Sequence, residues 1–276
     1  MSNPASQGVA PQGVAVVTGA SSGIGAVYAD RLARRGYDLI IAARDEARLN
    51  DLAVRLRAEA GVAVEVIPTD LTVRADVVRL EARLRDDPAI TLLVNNAGAS
   101  LSDPFAAADP DALEGLIQLN VVAVTRLANA AANGFSRAGR GTIVNIGSVV
   151  GLAPEFRNSV YGATKAFVLY LTQSLNEELA GSGVVLQAVL PGATRTEIWD
   201  RSGHGIENVP SEILMDVDEL VDAALAGLDQ GELVTIPSLP DPADWAALQA
   251  ARLNLGPNLS KPHPAPRYGV KVPESV

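Results

Sequence analysis

Seven short apolar runs, separated by helix-patterned segments, constrain the fold more than any other feature of this chain. They are "GVAVVTG", "YDLIIAAR", "VAVEVIPTD", "ITLLVNNAG", "GTIVNIGS", "VVLQAVLPG" and "ELVTIP". Their apolar residues run continuously rather than alternating, the pattern of strands buried on both faces. The first intervening stretch, "IGAVYADRLARRG", has apolar residues at helical spacing and stops at Gly36. Further helices are predicted up to about Ala60, up to about Asp86, from Asp109 to about Phe135, from near Ser159, and from Val217 to Leu228. Parallel neighbours require crossover connections, and these helices supply them. The expected fold is therefore α/β, a doubly wound sheet of seven parallel strands with helices on both faces, in a single domain over residues 13–237.

Three segments fall outside this rhythm. Residues 1–12 read as a polar, flexible leader. Residues 191–216, "PGATRTEIWDRSGHGIENVPSEILMD", are too long for an unstructured connection in a compact domain and read as a lid over a substrate. Residues 238–276 form a Pro-rich extension, expected to pack on the surface, to join a subunit contact, or to be disordered.

Composition narrows the function. The chain has 276 residues, 48% of them hydrophobic, enough for one large core. Without cysteine there is neither a disulfide framework nor a thiolate metal site. Its two histidines, His204 and His263, are far apart among Gly and Pro, so no metal is expected. A net charge of -10 argues against general nucleic-acid binding. No secretory pattern opens the sequence and no apolar run approaches about 18 residues, so a soluble, cytoplasmic protein with no membrane partner is expected.

The first strand-to-helix turn reads Thr18-Gly19-Ala20-Ser21-Ser22-Gly23-Ile24-Gly25. Glycines there permit a tight turn and close approach to a pyrophosphate, while the helix N-terminus offers oriented N–H groups. The same residues also match G-x-S-x-G, a hydrolase nucleophile elbow with Ser21 as nucleophile. That alternative lacks earlier strands to carry an oxyanion loop, and its histidine would have to be His204 or His263. The second strand ends Ala42-Ala43-Arg44, and a guanidinium there favours a 2′-phosphate, pointing to NADP(H), with NAD(H) still possible. Asp45, next in line, suits a helix N-cap.

In "NSVYGATKAF", Tyr161 and Lys165 are four residues apart and share a helix face, with Gly162 and Ala163 leaving space beside them. A tyrosine ordinarily titrates near 10, so proton exchange at neutral pH asks for about three units, roughly 4 kcal/mol. A lysine cation and a positively charged nicotinamide both favour phenolate. Ser148 closes the fifth apolar run at the carboxyl edge of the sheet, where ligands bind, and its hydroxyl can orient a carbonyl.

These motifs, with "NNAG" at 95–98, Asn120, Pro191-Gly192 and Tyr161 thirteen positions after Ser148, resemble the short-chain dehydrogenase/reductase family over about residues 13–237. The resemblance implies a Rossmann-type fold with Tyr161 as general acid, Ser148 polarising the carbonyl, Lys165 binding the nicotinamide ribose, and Asn120 holding a water from mid-helix. It also implies that Gly19, Ser21, Ser22, Gly23, Ile24 and Gly25 cradle the cofactor. Asp70 and Leu71 would flank adenine, Asn96, Ala97 and Gly98 would line the dinucleotide, and Thr194 and Thr196 would contact it beyond Pro191 and Gly192. Some NADP-preferring relatives carry a basic residue before the second glycine, where this chain has Ser22.

A substrate pocket is expected from Leu152, Phe156, Ile198, Trp199 and Ile206, fit for a fairly hydrophobic ketone or alcohol. By the same resemblance a homodimer or homotetramer is expected. The alternatives are a catalytically silent NADP-binding sensor and the Ser21 hydrolase.

Overall fold

A computed structural model describes residues 12–203 and 205–271. The leader, apart from residue 12, and His204 lie outside the described residues. Seven parallel strands run in the order β3-β2-β1-β4-β5-β6-β7. They are β1 (Val14–Thr18), β2 (Asp38–Ala43), β3 (Val64–Pro68), β4 (Ile90–Asn95), β5 (Gly141–Ile146), β6 (Val184–Val189) and β7 (Val234–Thr235). The order reverses between β1 and β4, which opens a crevice at the carboxyl ends of those strands.

Successive residues of β1 explain why its run is continuously apolar. Ala15 and Val17 enter one core with helices α1 (Gly23–Arg34) and α2 (Glu46–Ala60), while Val16 enters the other with α3 (Arg74–Asp86). Two runs depart from burial on both faces. In β3, an edge strand, only Val64 is fully buried, and β7 has just two residues.

The predicted helix from Asp109 is interrupted. It consists of α4 (Pro110–Ile117), a π-helical segment Gln118–Ala123, and α5 (Val124–Ala138). Asn120 therefore sits in a π turn rather than a regular helix, and such wider turns reorient side chains at functional sites. Next come α6 (Ser159–Glu178), the short α7 (Ile198–Arg201) and α8 (Val217–Asp229), the last packed in the core with α1 and α2.

The chain divides into two compact units, one up to Pro237 and one from Ser238. The second contains α9 (Pro242–Leu253), a helix not expected in a Pro-rich tail. Its start has a local cause: the Asp241 carboxylate accepts from the Ala243 N–H at 2.8 Å, and Pro242 takes the first turn, where its missing N–H costs nothing.

One buried carboxylate ties α1 to α2. Asp30, 5% exposed, accepts from Arg31 and Arg34 on its own helix and from Arg55 on α2, each at 2.9 Å. Arg31 also reaches Asp218 and Asp222 of α8 at 2.7 Å. Burial pushes the Asp30 carboxyl up, but hydrogen bonds from Arg34, Arg55 and Arg31 outweigh it and hold it down at about 2, from an ordinary 3.8. That difference corresponds to about 2 kcal/mol of stability, complete above pH about 4 and lost as the pH falls toward 2. Asp30→Asn is expected to lower unfolding free energy at pH 7 by about 2 kcal/mol. Urea titrations of both proteins should show the gap closing between about pH 4 and pH 2; a variant as stable as wild type at pH 7 contradicts this role.

Candidate active site

The glycine turn is held from below by the "NNAG" segment. Asn96 Nδ2 donates to the carbonyls of Thr18 and Gly19 at 2.9 and 3.2 Å, and the N–H groups of Asn96 and Ala97 donate to Thr18 Oγ1 at 3.0 and 3.1 Å. From the other side, the Gly19 N–H donates to the Ala42 carbonyl of β2 at 2.7 Å. A Cβ on Gly25 would lie 2.4 Å from both Asn96 Nδ2 and the Gly19 oxygen, and Gly19 has φ +66°. Glycine is therefore required at both places. The Asn96 side chain buttresses the turn.

Above the turn, α1 begins without a side-chain cap at Ser22 and without an acidic residue in its first turn. Its first N–H groups are thus not satisfied by a side chain, and an anion can satisfy them. Ser21 makes no side-chain hydrogen bond among the described residues.

At the end of β2, exposed Arg44 makes no ion pair or hydrogen bond among the described residues, while Asp45 caps α2, accepting from the Arg48 N–H at 3.0 Å. After β3, the Asp70 carboxylate accepts from Thr72 Oγ1 and Thr72 N–H at 2.7 and 2.9 Å, and Leu71 packs into the core. The Asp70 side chain thus closes a local turn.

Ser148, Tyr161, Lys165 and Asn120 converge at the carboxyl edge of the sheet. Ser148 lies two residues beyond the end of β5, 7% exposed, with its hydroxyl on the side of the Tyr161 phenol. It also accepts from the Val150 N–H at 3.2 Å and faces the Pro191 carbonyl at 3.4 Å. Tyr161, half-buried in the first turn of α6, has its phenol pushed up to about 12 by burial, with the Ser148 hydrogen bond opposing. Lys165, 6% exposed, donates from Nζ to the Ile146 carbonyl at 2.9 Å. Its ammonium lies 5.6 Å from the centre of the Tyr161 ring, and burial brings it down to about 8.

Burial disfavours phenolate and ammonium alike, which raises the phenol and lowers the ammonium. Asn120, 1% exposed, is bound on both ends of its amide: it accepts from the Ala99 N–H at 3.0 Å and donates to the Ala99 carbonyl at 2.9 Å and Thr164 Oγ1 at 3.1 Å. Thr164 Oγ1 in turn donates to the Tyr161 carbonyl at 2.7 Å. Asn120 pins the segment after β4 to α6.

A narrow pocket beside Tyr161 is lined by Leu101, Asp103, Phe105, Leu113 and Leu116 together with Asn158, Ser159 and Val160. None of the five expected pocket residues lines it, and Phe156 is 63% exposed. The missed residues lie in the connection after β4 (Leu101, Asp103, Phe105), on α4 (Leu113, Leu116) and at the start of α6 (Asn158 to Val160), and only those on α4 follow a helical spacing. Beyond β6, Pro191 and Thr194 are buried and Thr196 approaches the Gly23 backbone, where a Cβ would lie 3.2 Å from its methyl group. Trp199 Nε1 donates to the Thr194 carbonyl at 2.7 Å, folding the segment that carries Ile198 back on itself, and Ile206 begins a later 3-10 turn. A buried polar chain absent from the sequence reading runs beneath the site: Asn95 Nδ2 donates to Asn145 Oδ1 at 2.9 Å, and Asn145 Nδ2 to Thr172 Oγ1 at 3.0 Å.

The profile of the short chain dehydrogenase family matches residues 13–206. The chain belongs to the short-chain dehydrogenase family. It is similar to a solved short-chain dehydrogenase from Sphingobium yanoikuyae in complex with NADPH, at 55% identity and TM-score 0.91, covering 94% of this chain and 100% of that one. It also resembles the bulky-bulky ketone specific alcohol dehydrogenase from Comamonas testosteroni, at 49% identity and TM-score 0.87, covering 94% and 99%. An uncharacterised oxidoreductase of Staphylococcus saprophyticus is 33% identical over 224 residues, 81% of this chain and 94% of the relative. This short-chain dehydrogenase is an oxidoreductase, and among its described residues no helix is long and apolar enough to cross a membrane.

Burying Lys165 costs the dehydrogenase stability at neutral pH. Between about 8 and 10.5 the unfolded chain binds a proton that the folded protein does not, so stability rises with pH across that window. Lys165→Met removes the buried charge and one hydrogen bond, and is expected to be about 2 kcal/mol more stable than wild type at pH 7. Urea titrations at pH 7 and pH 10 should show that advantage shrinking at the higher pH; a variant less stable at pH 7 contradicts the cost.

Proposed function

We propose that this dehydrogenase is an NADP(H)-dependent carbonyl reductase or alcohol dehydrogenase acting on a hydrophobic ketone or its alcohol, with Tyr161 as acid and base. The observation that carries the reading is the convergence of Ser148 and Tyr161 with a buried lysine behind them, its ammonium 5.6 Å from the Tyr161 ring, at the sheet edge next to a glycine turn. The uncapped start of α1, the glycines that a Cβ would crowd and the unpartnered Arg44 fit a dinucleotide carrying an additional phosphate. The NADPH complex of the Sphingobium relative supports the same cofactor. Residues Gly19 to Gly25, Arg44, Ala97 and Gly98 and the segment from Pro191 to Thr196 would hold it, and once bound it supplies or accepts the hydride at the substrate carbon.

The protein's own groups manage the oxygen. A substrate carbonyl accepts hydrogen bonds from Ser148 and Tyr161, which fixes its orientation and polarises it. As negative charge develops on that oxygen, Tyr161 transfers its phenolic proton to it. The phenolate left behind keeps the Ser148 hydrogen bond and faces the Lys165 charge. In the reverse direction the same oxygen atoms pass the proton back. Leu101, Phe105, Leu113 and Leu116 give the pocket beside Tyr161 an apolar wall, and the ketone specificity in the name of the Comamonas relative points to a substrate bulky on both sides of its carbonyl. Residues 13–237 form the catalytic domain in this reading, with 191–216 as its lid.

Consumption of NADPH and NADH with a panel of diaryl, aryl-alkyl, sugar and oxoacyl ketones tests the assignment. Wild type is expected to favour NADPH and the bulky apolar ketones. Tyr161→Phe should lose on the order of 10³-fold or more in kcat while binding NADPH as wild type does, and Ser148→Ala about 10²-fold. Tyr161→Phe turning over at the wild-type rate contradicts the mechanism; NADPH bound without turnover of any ketone favours a sensor.

A further inference from the structure

One carboxylate stands in the otherwise uncharged wall of the pocket beside Tyr161. Among the residues that line this pocket, Asp103 is the only Asp, Glu, Lys, Arg or His. Asp103 is exposed and Leu116 is buried, so the wall runs from an apolar interior to a charged mouth.

The carboxylate has no partner within the protein. Asp103 makes no hydrogen bond or ion pair among the described residues. No Lys or Arg occurs between Arg85 and Arg126, and Arg157, next to the lining residue Asn158, makes no ion pair with Asp103 among the described residues. The backbone just before the carboxylate is nevertheless fastened twice. Asn158 Nδ2 donates to the Leu101 carbonyl at 3.3 Å, and Ser102 Oγ donates to the Ser202 carbonyl at 2.7 Å. The first contact ties this connection to the start of α6, three residues before Tyr161, and the second ties it to the segment after β6. A charge carried on a segment held at two successive residues costs less to orient toward a ligand than one on a free loop.

We propose that Asp103 selects the substrate: the ketone or alcohol carries a cationic nitrogen, at the end away from its reacting carbon, that pairs with this carboxylate. The proposal rests on the carbonyl-reductase reading above and narrows its substrate class to apolar ketones bearing an amine. Leu101, Phe105 and Leu113 cover the apolar body of such a molecule, and its carbonyl meets Ser148 and Tyr161. Its ammonium stays at the wet mouth, where little hydration is lost. An anionic substrate would meet like charge at the same place. Asp103 acts through binding and takes no part in proton or hydride transfer.

Two butyrophenones of equal shape test this. One carries a 4-(dimethylaminomethyl) group, cationic at neutral pH, and the other a 4-isobutyl group, in which carbon replaces the nitrogen. Because Asp103 has no partner among the described residues, Asp103→Asn removes the charge and no internal contact. This variant is expected to lower the ratio of kcat/KM for the amine to kcat/KM for the isobutyl ketone by about 5- to 10-fold at low salt, through KM, while Asp103→Glu keeps most of the wild-type ratio. Raising the salt to about 0.5 M should shrink the wild-type ratio toward that of Asp103→Asn. A ratio that Asp103→Asn leaves unchanged, an equal loss for both ketones included, would overturn the selection. A fall carried by kcat alone would contradict it too, since it would put Asp103 in the chemistry. Wild type turning over neither ketone with NADPH would instead sink the reductase reading, and this proposal with it.

Discussion

The hydrogen bond from Lys165 Nζ to the Ile146 carbonyl fastens α6 to the carboxyl end of β5, and the geometry of the site depends on it. Gly151 lets the turn after Ser148 pack directly on the same stretch of α6: a Cβ there would lie 2.7 Å from the Ala166 nitrogen and 3.1 Å from the Lys165 carbonyl oxygen. Asn120 completes the frame from the side, because its amide holds Ala99 and, through Thr164, the backbone of Tyr161 itself. This frame is polar and buried, so it costs stability that the apolar cores on both sides of the sheet must offset.

Burial and charge compete at Tyr161, and magnitudes decide the outcome. A phenol at about 12 is roughly five units from neutrality, or about 7 kcal/mol. A full positive charge at the 5.6 Å separation of the ammonium from the ring centre supplies roughly 3 kcal/mol at an effective dielectric of about 20. The lysine alone therefore cannot hold the phenol ionised at neutral pH. In the role proposed for Tyr161, an acid that meets a developing alkoxide, a stronger base than phenolate, a protonated phenol is the right resting state. Oxidation of an alcohol needs the opposite state, and a positively charged group bound beside the pair is the further contribution that would favour it.

Much of this arrangement was legible in the sequence, for identifiable reasons. Continuous apolar runs and intervening helical periodicity specify a parallel sheet, and the glycine turn at Gly19 with Ser148, Tyr161 and Lys165 carried the resemblance to the family whose profile matches residues 13–206. What escaped was set by contacts distant in sequence. The phenol shift depends on how deeply α6 is covered, and the Asn95–Asn145–Thr172 chain forms only when β4, β5 and α6 come together. Part of the pocket wall, at Leu101 and Phe105, comes from an irregular connection, where apolar residues follow no period that betrays which way they face. The π turn at Asn120 is similarly invisible, since its sequence reads as ordinary helix. The helix α9 was the exception: its Asp241-Pro242 start was a local signal, obscured by the prolines around it.

Titration of the Tyr161 phenol, followed by NMR of protein carrying 13C-labelled tyrosine, tests most directly whether charge rather than the fold tunes this group. The other four tyrosines are assigned by single Phe substitutions. Without cofactor the phenol should stay protonated to about pH 12, and saturation with NADP+ should lower it by two units or more. A Tyr161 phenol that ionises near neutrality without cofactor, or that does not move when NADP+ binds, would contradict the account.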